Sequence, residues 1–303
     1  MQITWLPDVA PRPRRVAVGE FDGVHLGHRA VVDGSDTVLT FEPHPMAVVR
    51  PDAAPKLLTS LEVKAELIAA LGVEELIVIP FDAAFAHQTA QEFVDDVLVG
   101  KLGATHVSVG ENFRFGHGAR GDTALLRADG RFEARVVPLV EVDGEIVSSS
   151  HVRGLVQAGL VERAATLLDV PFRMRGEVQH GEKRGRELGF PTANLVPDPA
   201  LVCPANGVYA TRVSWDGGQE WRCAATNVGV RPTFETGLGL LVEAYVLDYS
   251  GNLYGKPLTV EFVGRLRGEQ RFPSADALIE QMQLDVAAAR AVCAGDSATL
   301  RGR

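Results

Sequence analysis

Between Gly19 and Asp36 the chain reads GEFDGVHLGHRAVVDGSD, which sets two histidines, His25 and His28, three residues apart among glycines. At that spacing near a helix start, both rings can point the same way. They could ligate a metal, pack into a core or donate hydrogen bonds to an anion. A metal centre needs a third and a fourth ligand, and the chain has no HExxH or comparable spacing; the nearby candidate is His44, between two prolines. Core packing suits poorly a segment whose glycines leave the backbone open. A strand–turn–helix start offers free N–H groups and a positive dipole end, so polyphosphate binding fits these residues best, with the metal and structural readings still standing.

A second segment with the same kind of chemistry is GEKRGRELGFPTAN, Gly181 to Asn194. It is not a Walker A loop, because no GK[ST] closes it. Gly181, Gly185 and Gly189 free the backbone, while Lys183, Arg184 and Arg186 concentrate positive charge in an acidic chain. Such a loop can cradle phosphates, or be a plain exposed basic turn. Thr192 and Asn194 present a hydroxyl and an amide oxygen two residues apart, on one side of an extended segment. Hard oxygen donors of this type suit Mg²⁺ bound together with a nucleotide. Further on, Glu243 lies in LLVEAYVLDY, a carboxylate among apolar residues. Turned inward it is costly unless paired or used, and it could take the proton of a substrate hydroxyl; turned outward it is simply solvated.

Two weaker signals remain in the first half. Asn112-Phe-Arg-Phe115 is either a packed loop or a polar edge presented to a ligand by Asn112. Ser149, Ser150 and Arg153 are either a helix cap followed by a surface arginine or an anion clamp.

The elements that must carry these residues change character along the chain. RRVAVG, DTVLTF, ELIVIPF and THVSVG are apolar without alternation, as buried parallel strands are. Helices are expected between them. Residues 60–71 place Leu61, Ala65, Ile68 and Ala69 on one face and stop at Gly72, and Thr89 with Glu92 forms a capping box ahead of a helix ending near Gly100. This alternation predicts a doubly wound α/β domain, whose ligands bind at the carboxyl ends of the strands. The first-half polar segments named above follow those ends. Helical residues 149–169 break near Gly159. After Pro171 the pattern becomes β-branched runs separated by turns such as Asp216-Gly-Gly218, which predicts an antiparallel, closed small barrel. A last helix is expected over 274–290, capped by Ser274, with Leu278, Ile279, Met282, Val286 and Ala289 as its apolar stripe.

Composition excludes several classes. The 303 residues hold 39 acids against 30 bases, a formal charge of −9, which argues against a nucleic-acid binder. No apolar run approaches the ~20 residues of a membrane helix, and MQITWLPDVAPRPRR has no signal-peptide core. Cys203, Cys223 and Cys293 have no CxxC spacing and read as free thiols in a reducing cytoplasm.

At this point a resemblance is visible. GxFDGxHxGH, TFEPHP, GxNFRFG and the SSSxVR segment resemble the adenylyltransferase module of bacterial bifunctional riboflavin kinase/FMN adenylyltransferase, or FAD synthetase, an HxGH-type Rossmann-like nucleotidyltransferase. GEKRGRELGFPTAN, NVGVRPTF, VEAYVLD, LYG and RLRGEQRFPS resemble its riboflavin kinase module, a six-stranded antiparallel barrel. The resemblance implies an adenylyltransferase domain over residues 1–169 and a kinase domain over 170–303. It implies ATP, riboflavin and FMN as small-molecule substrates, with Mg²⁺ and without nucleic acid or membrane; an oligomer is possible. Carried over by position, Gly19, Phe21, His25, His28, Ser149, Ser150 and Arg153 hold ATP for adenylyl transfer, with His28 catalytic, and His44 and Asn112 face FMN. Gly181, Lys183, Gly185, Arg186, Thr192 and Asn194 hold ATP for the kinase, Thr192 and Asn194 through Mg²⁺. Glu243 is the base, and it meets the flavin together with Arg271. One departure stands out: only about eight residues after His25 can be helical, where the family has a long helix, and a parallel crossover needs a dozen residues or more. A kinase with a degenerate adenylyltransferase domain and a non-catalytic flavin or nucleotide binder are the competing readings.

Overall fold

The structure is a computed structural model that describes residues 1–180, 189–233 and 237–300, and not the side chains of 230–239 or 296–300. Gly181, Lys183, Gly185 and Arg186 lie outside the described residues. The chain forms two compact units, Met1–His151 and Val152–Arg303.

The first unit is built on a parallel sheet of β1 (Gln2–Trp5), β2 (Arg14–Val18), β3 (Thr37–Glu42), β4 (Glu75–Pro80), β5 (Ala104–Gly110) and β6 (Glu133–Val137), in the order β1-β4-β3-β2-β5-β6. The expected doubly wound arrangement is present, and the four apolar runs form its centre. The two outer strands carry weaker patterns. β1 has only four residues, and Ile3 and Trp5 are exposed on it. β6, EARVV, is buried only at Val137. An edge strand with one covered flank needs little apolar sequence. The order reverses at β2, so the crevice for a ligand opens beyond the ends of β2 and β5.

The shortened crossover from β2 to β3 closes. Its helix, Leu26–Val32, has seven residues with His25 as N-cap, and Val31 and Val32 are buried. Gly34 turns the chain at φ +75°, and Asp36 then accepts from the Arg15 backbone N–H at 3.2 Å while its carbonyl accepts from Glu74 N–H at 2.9 Å. The Thr89–Glu92 capping box is formed in both directions, and its helical run ends at Lys101. Helix Leu61–Ala69 buries Val63, Lys64, Ala65, Leu67 and Ile68, a face rotated from the expected one so that it includes a lysine. A short hairpin, β7 (Glu141–Val142) and β8 (Glu145–Ile146), precedes the helix Ser149–Gln157.

The second unit closes β9 (Phe172–Gln179), β10 (Ala193–Leu195), β11 (Gly207–Ser214), β12 (Arg222–Thr233), β13 (Gly237–Val246) and β14 (Pro257–Arg267) into an antiparallel barrel ordered β9-β10-β13-β12-β11-β14. Helix Val161–Leu168 follows a break at Gly159, φ +76°, where a Cβ would lie 2.8 Å from the Tyr209 hydroxyl. The Asp216 carboxylate organises the β11–β12 turn by accepting from Gln219 and Glu220 N–H. The last helix runs Ala275–Leu300, longer than expected. Its inward face holds the expected Ala289 and also Asp285, which takes a two-pronged hydrogen bond from Arg267 at 2.7 and 2.9 Å.

The free-thiol expectation is corrected for two cysteines: Cys223 on β12 and Cys293 on the last helix form a disulfide, with Cα atoms 6.0 Å apart. They are 70 residues apart, and only the helix lying against β11 and β12 brings them together. Cys203 takes no part in a disulfide.

At the amino ends of the first sheet, away from the ligand edge, Glu75 accepts from Arg12 and Arg14 at 2.8 Å each, while Arg14 also donates to the Leu102 carbonyl at 2.9 Å. Arg14 and Glu75 are both buried. Glu75→Ala leaves a buried guanidinium unpaired and is expected to destabilise the first unit by about 3 kcal/mol, read from urea denaturation, with the second unit's stability unchanged.

Candidate functional site

The first site forms where β2 ends. Gly19 N–H donates to the Leu39 carbonyl, and the chain then turns through Phe21 (φ +51°), Gly23 (φ +84°) and Val24 (φ +45°). Phe21, Asp22, Val24 and His25 are all buried. Asp22 Oδ1 accepts from the backbone N–H groups of Leu58 (2.8 Å) and Thr59 (3.2 Å), and the Asp22 carbonyl accepts from Ser149 Oγ at 3.0 Å. Ser149 is thereby joined to the histidine turn, as the anion-clamp reading requires. Ser150 is its exposed neighbour, and Arg153 lies one helical turn on from Ser149.

The two imidazoles stack, with ring centroids 3.6 Å apart, and Phe21 meets His28 edge-on at 5.3 Å. His25 Nδ1 accepts from His28 N–H at 3.3 Å, which puts the His25 proton on Nε2. Burial lowers His25 to about 4. Burial, then the charges of His25 and Lys64, hold His28 well below the ordinary histidine range. Both rings are therefore neutral at pH 7 and can act as neutral hydrogen-bond donors. His28 Nδ1 is occluded and finds no partner among the described residues.

Lys64 is the charged group missed by the sequence reading. It is 5% exposed, its Nζ lies 3.5 Å from Thr40 Oγ1, and burial lowers its pKa against the pull of Asp22, Glu42 and Glu20. The signal was present: a lysine inside the apolar stripe of SLEVKAELIAAL.

His44 ends the β3 loop. Its Nδ1 accepts from Met46 N–H at 3.1 Å, and its Nε2 pairs with Glu20 at 2.5 Å, tying that loop to the histidine turn. Asn112 is exposed in the turn after β5. Between these two segments runs a file of rings: Phe41, Phe81, Phe85, Phe93, Phe115 and Phe113, with successive centroids 5.4 to 6.3 Å apart. Phe41, Phe93 and Phe115 are buried in the core, and Phe81, Phe85 and Phe113 are the partly exposed rings that a flat aromatic ligand can reach.

The second site lies on the barrel wall. Asn194 on β10 stands directly opposite Glu243 on β13, which stands opposite Asn227 on β12. Val242, Ala244 and Val246 are buried, whereas Leu241, Glu243 and Tyr245 are partly exposed. Glu243 thus belongs to the outward face, accessible to substrate without the cost of a core carboxylate. Phe190 meets Tyr245 edge-on at 5.2 Å, seating the FPTAN segment beside that row. Asn194 is buried, and its Oδ1 has no partner among the described residues. An amide oxygen left in that state fits a hard cation. Thr192 is partly exposed just before β10. Arg271 is exposed in the loop after β14, beside Phe272, over which Arg267 stacks at 5.7 Å.

A parallel sheet with a histidine turn at its switch point is the architecture of a nucleotide-binding α/β unit, and the closed barrel carries a row of one carboxylate and two amides. Comparisons with known proteins give the family. A family model for FAD synthetase matches residues 8–151, and one for riboflavin kinase matches residues 168–293. The chain is 40% identical over 290 residues to the Bifunctional riboflavin kinase/FMN adenylyltransferase of Pseudomonas fluorescens, covering 91% of this chain and 92% of that protein. It is 38% identical to that of Escherichia coli strain K12 (91% of each) and 37% identical to that of Listeria monocytogenes (89% of each). A solved structure described as a Macrolide-efflux Protein from Streptococcus pneumoniae superposes with a TM-score of 0.86 at 29% identity, covering 96% of this chain and 99% of that one. Among the described residues, no helix of the present chain is long and apolar enough to cross a membrane. The chain belongs to the bifunctional riboflavin kinase/FMN adenylyltransferase family.

The buried histidine makes a pH prediction. Below pH 6.5 the unfolded chain binds a proton at His25 that the folded chain refuses until about pH 4. The stabilisation is complete above 6.5 and is lost as pH falls toward 4, a difference on the order of 3 kcal/mol. Calorimetric melts at pH 7.5 and 4.5 should show a smaller acid loss in His25→Gln than in the unmutated chain.

Proposed function

We propose that the second unit phosphorylates riboflavin and the first adenylylates the resulting FMN. The observation that carries the kinase reading is the direct pairing of Asn194 with Glu243 across β10 and β13. It puts an amide oxygen without a partner among the described residues beside a carboxylate, as Mg-ATP and a hydroxyl nucleophile need. Glu243 takes the proton of the ribityl 5′-hydroxyl as that oxygen bonds to the γ-phosphorus and ADP leaves. Asn194 Oδ1 and the Thr192 hydroxyl would hold Mg²⁺, which when bound offsets charge on the phosphates. The loop of Gly181, Lys183, Gly185 and Arg186 would cover the phosphates, and Arg271 the flavin.

In the first unit an FMN phosphate oxygen bonds to the α-phosphorus of ATP and pyrophosphate leaves. The attacking oxygen is already ionised, so no base is required, and the protein's part is positioning and charge stabilisation. The neutral His25 and His28 donate to the phosphates from the helix N-terminus, with Gly19 and Phe21 shaping the turn. Ser149, Ser150 and Arg153 close on the same phosphates. His44 and Asn112 bracket the ring file that faces FMN. The seven-residue helix is sufficient for this role, because the dipole effect resides in its first turn.

One incubation with riboflavin, ATP and Mg²⁺, sampled over time, tests the reading: FMN should appear first and FAD after it. Accumulation of FMN without FAD would leave a kinase alone, and flavin binding with neither product would leave a binding protein. Glu243→Gln should slow FMN formation by about a hundredfold or more and spare FAD synthesis from supplied FMN. His28→Ala should do the reverse by a similar factor. Equal loss of both activities in either variant would show that the sites are not separate.

A further inference from the structure

We infer that Asn227 is a positioning residue for Glu243: its side-chain amide holds the carboxylate in the orientation that meets the substrate hydroxyl. The inference rests on the kinase reading of the second unit. Asn227 and Glu243 are direct register partners on β12 and β13. Such partners share a face, with Cβ atoms about 4.5 to 5.5 Å apart. That face points outward on both strands, since Ala224, Thr226 and Val228 are buried as Val242, Ala244 and Val246 are. Asn227 Nδ2 donates to Glu243 Oε2 at 3.5 Å. The bond is long, as polar contacts in a substrate-free site often are.

The space for this amide is kept by a glycine. A Cβ at Gly229 would meet Glu269 Oε1 at 3.0 Å and Asn227 Nδ2 at 3.4 Å. Gly229 does not have the positive φ that demands a glycine, so what it provides is room for its neighbours' polar ends. Beyond Asn227 the row continues to the buried Val208 of β11, so on that flank the amide meets an apolar neighbour. The terminal torsion of a glutamate is broad and weakly restrained. A donor on Oε2 fixes the plane of the carboxylate and with it the direction of Oε1. Asn194, on the opposite flank, is assigned to the nucleotide's cation, so Asn227 serves the base and Asn194 the phosphoryl group.

The test is a double-mutant cycle on FMN formation by the full chain. Asn227→Ala should lower kcat about tenfold, a part of what a general base contributes, with KM for riboflavin and for Mg-ATP within twofold. Asn227→Asp, which keeps the size and shape but removes the donor, should lower kcat at least as far. In a Glu243→Gln background, adding Asn227→Ala should cost less than about twofold more, because two residues acting as a unit are not additive. Full additivity in the cycle would overturn the inference, as would an unchanged kcat in Asn227→Asp or a raised KM with unchanged kcat. If Glu243→Gln alone forms FMN at the full rate, it is the kinase reading that fails. If Glu243→Gln is slow and the cycle is additive, only the role of Asn227 fails.

Discussion

A carboxylate that cannot be hydrated has to be hydrogen-bonded, and in the first unit that carboxylate is Asp22. It is 3% exposed, and its partners are backbone groups far away in sequence, at Leu58 and Thr59, with Ser149 donating to its carbonyl. Two distant segments are thus pinned to one residue at the end of β2. The pinning explains how the turn tolerates its own geometry. Phe21 and Val24 sit at positive φ, which is costly for a side chain with a Cβ and most of all for a β-branched one. Such a conformation persists only where the surroundings leave no alternative. Here both side chains are buried, and Gly23 N–H is held by Thr59 Oγ1. The stacked histidines inherit a fixed platform, and the loss of their hydration is what keeps them uncharged.

Each unit also holds a buried ion cluster away from its candidate site, in addition to the buried Asp22 and Lys64 beside the histidine turn of the first. In the parallel sheet, the buried Arg14 and Glu75, with the exposed Arg12 joined to the same carboxylate, close the amino ends of the strands, while the histidine turn lies at the carboxyl end of β2. In the barrel, Glu261 is buried between Arg173 and Arg212 on one part of the wall, whereas Glu243 lies on an outward face among amides. Chemically similar carboxylates thus sit in different settings: Glu261 is buried between two guanidinium groups, while Glu243 is partly exposed between its register partners Asn194 and Asn227.

Much of this was legible in the chain. The four central strands, the Thr89 capping box, the break at Gly159 and the turn at Asp216 follow from local pattern and local hydrogen bonding. The histidine turn followed from glycine spacing. Other features were not legible, for physical reasons. β1 and β6 lie at the edges, where one flank suffices and apolar patterning is weak. The buried face of helix Leu61–Ala69 is rotated from the expected one, because it takes in Lys64, whose charge meets Asp22, Glu42 and Glu20 from segments distant in sequence. The row of Asn194, Glu243 and Asn227 is a product of strand register, which no one of the three segments contains. The loop of Lys183 and Arg186 lies outside the described residues.

The disulfide between Cys223 and Cys293 has a consequence for handling the molecule. It closes a circuit that includes all of β13 and β14 and ties the last helix to the barrel wall. On a chain-entropy account a loop of this length restricts the unfolded ensemble by about 4 kcal/mol. A sample kept with a strong thiol reductant and one kept without it are then two different covalent species. Shelf life, protease sensitivity and melting behaviour belong to one or the other, and a thiol count with and without denaturant identifies which is in the tube.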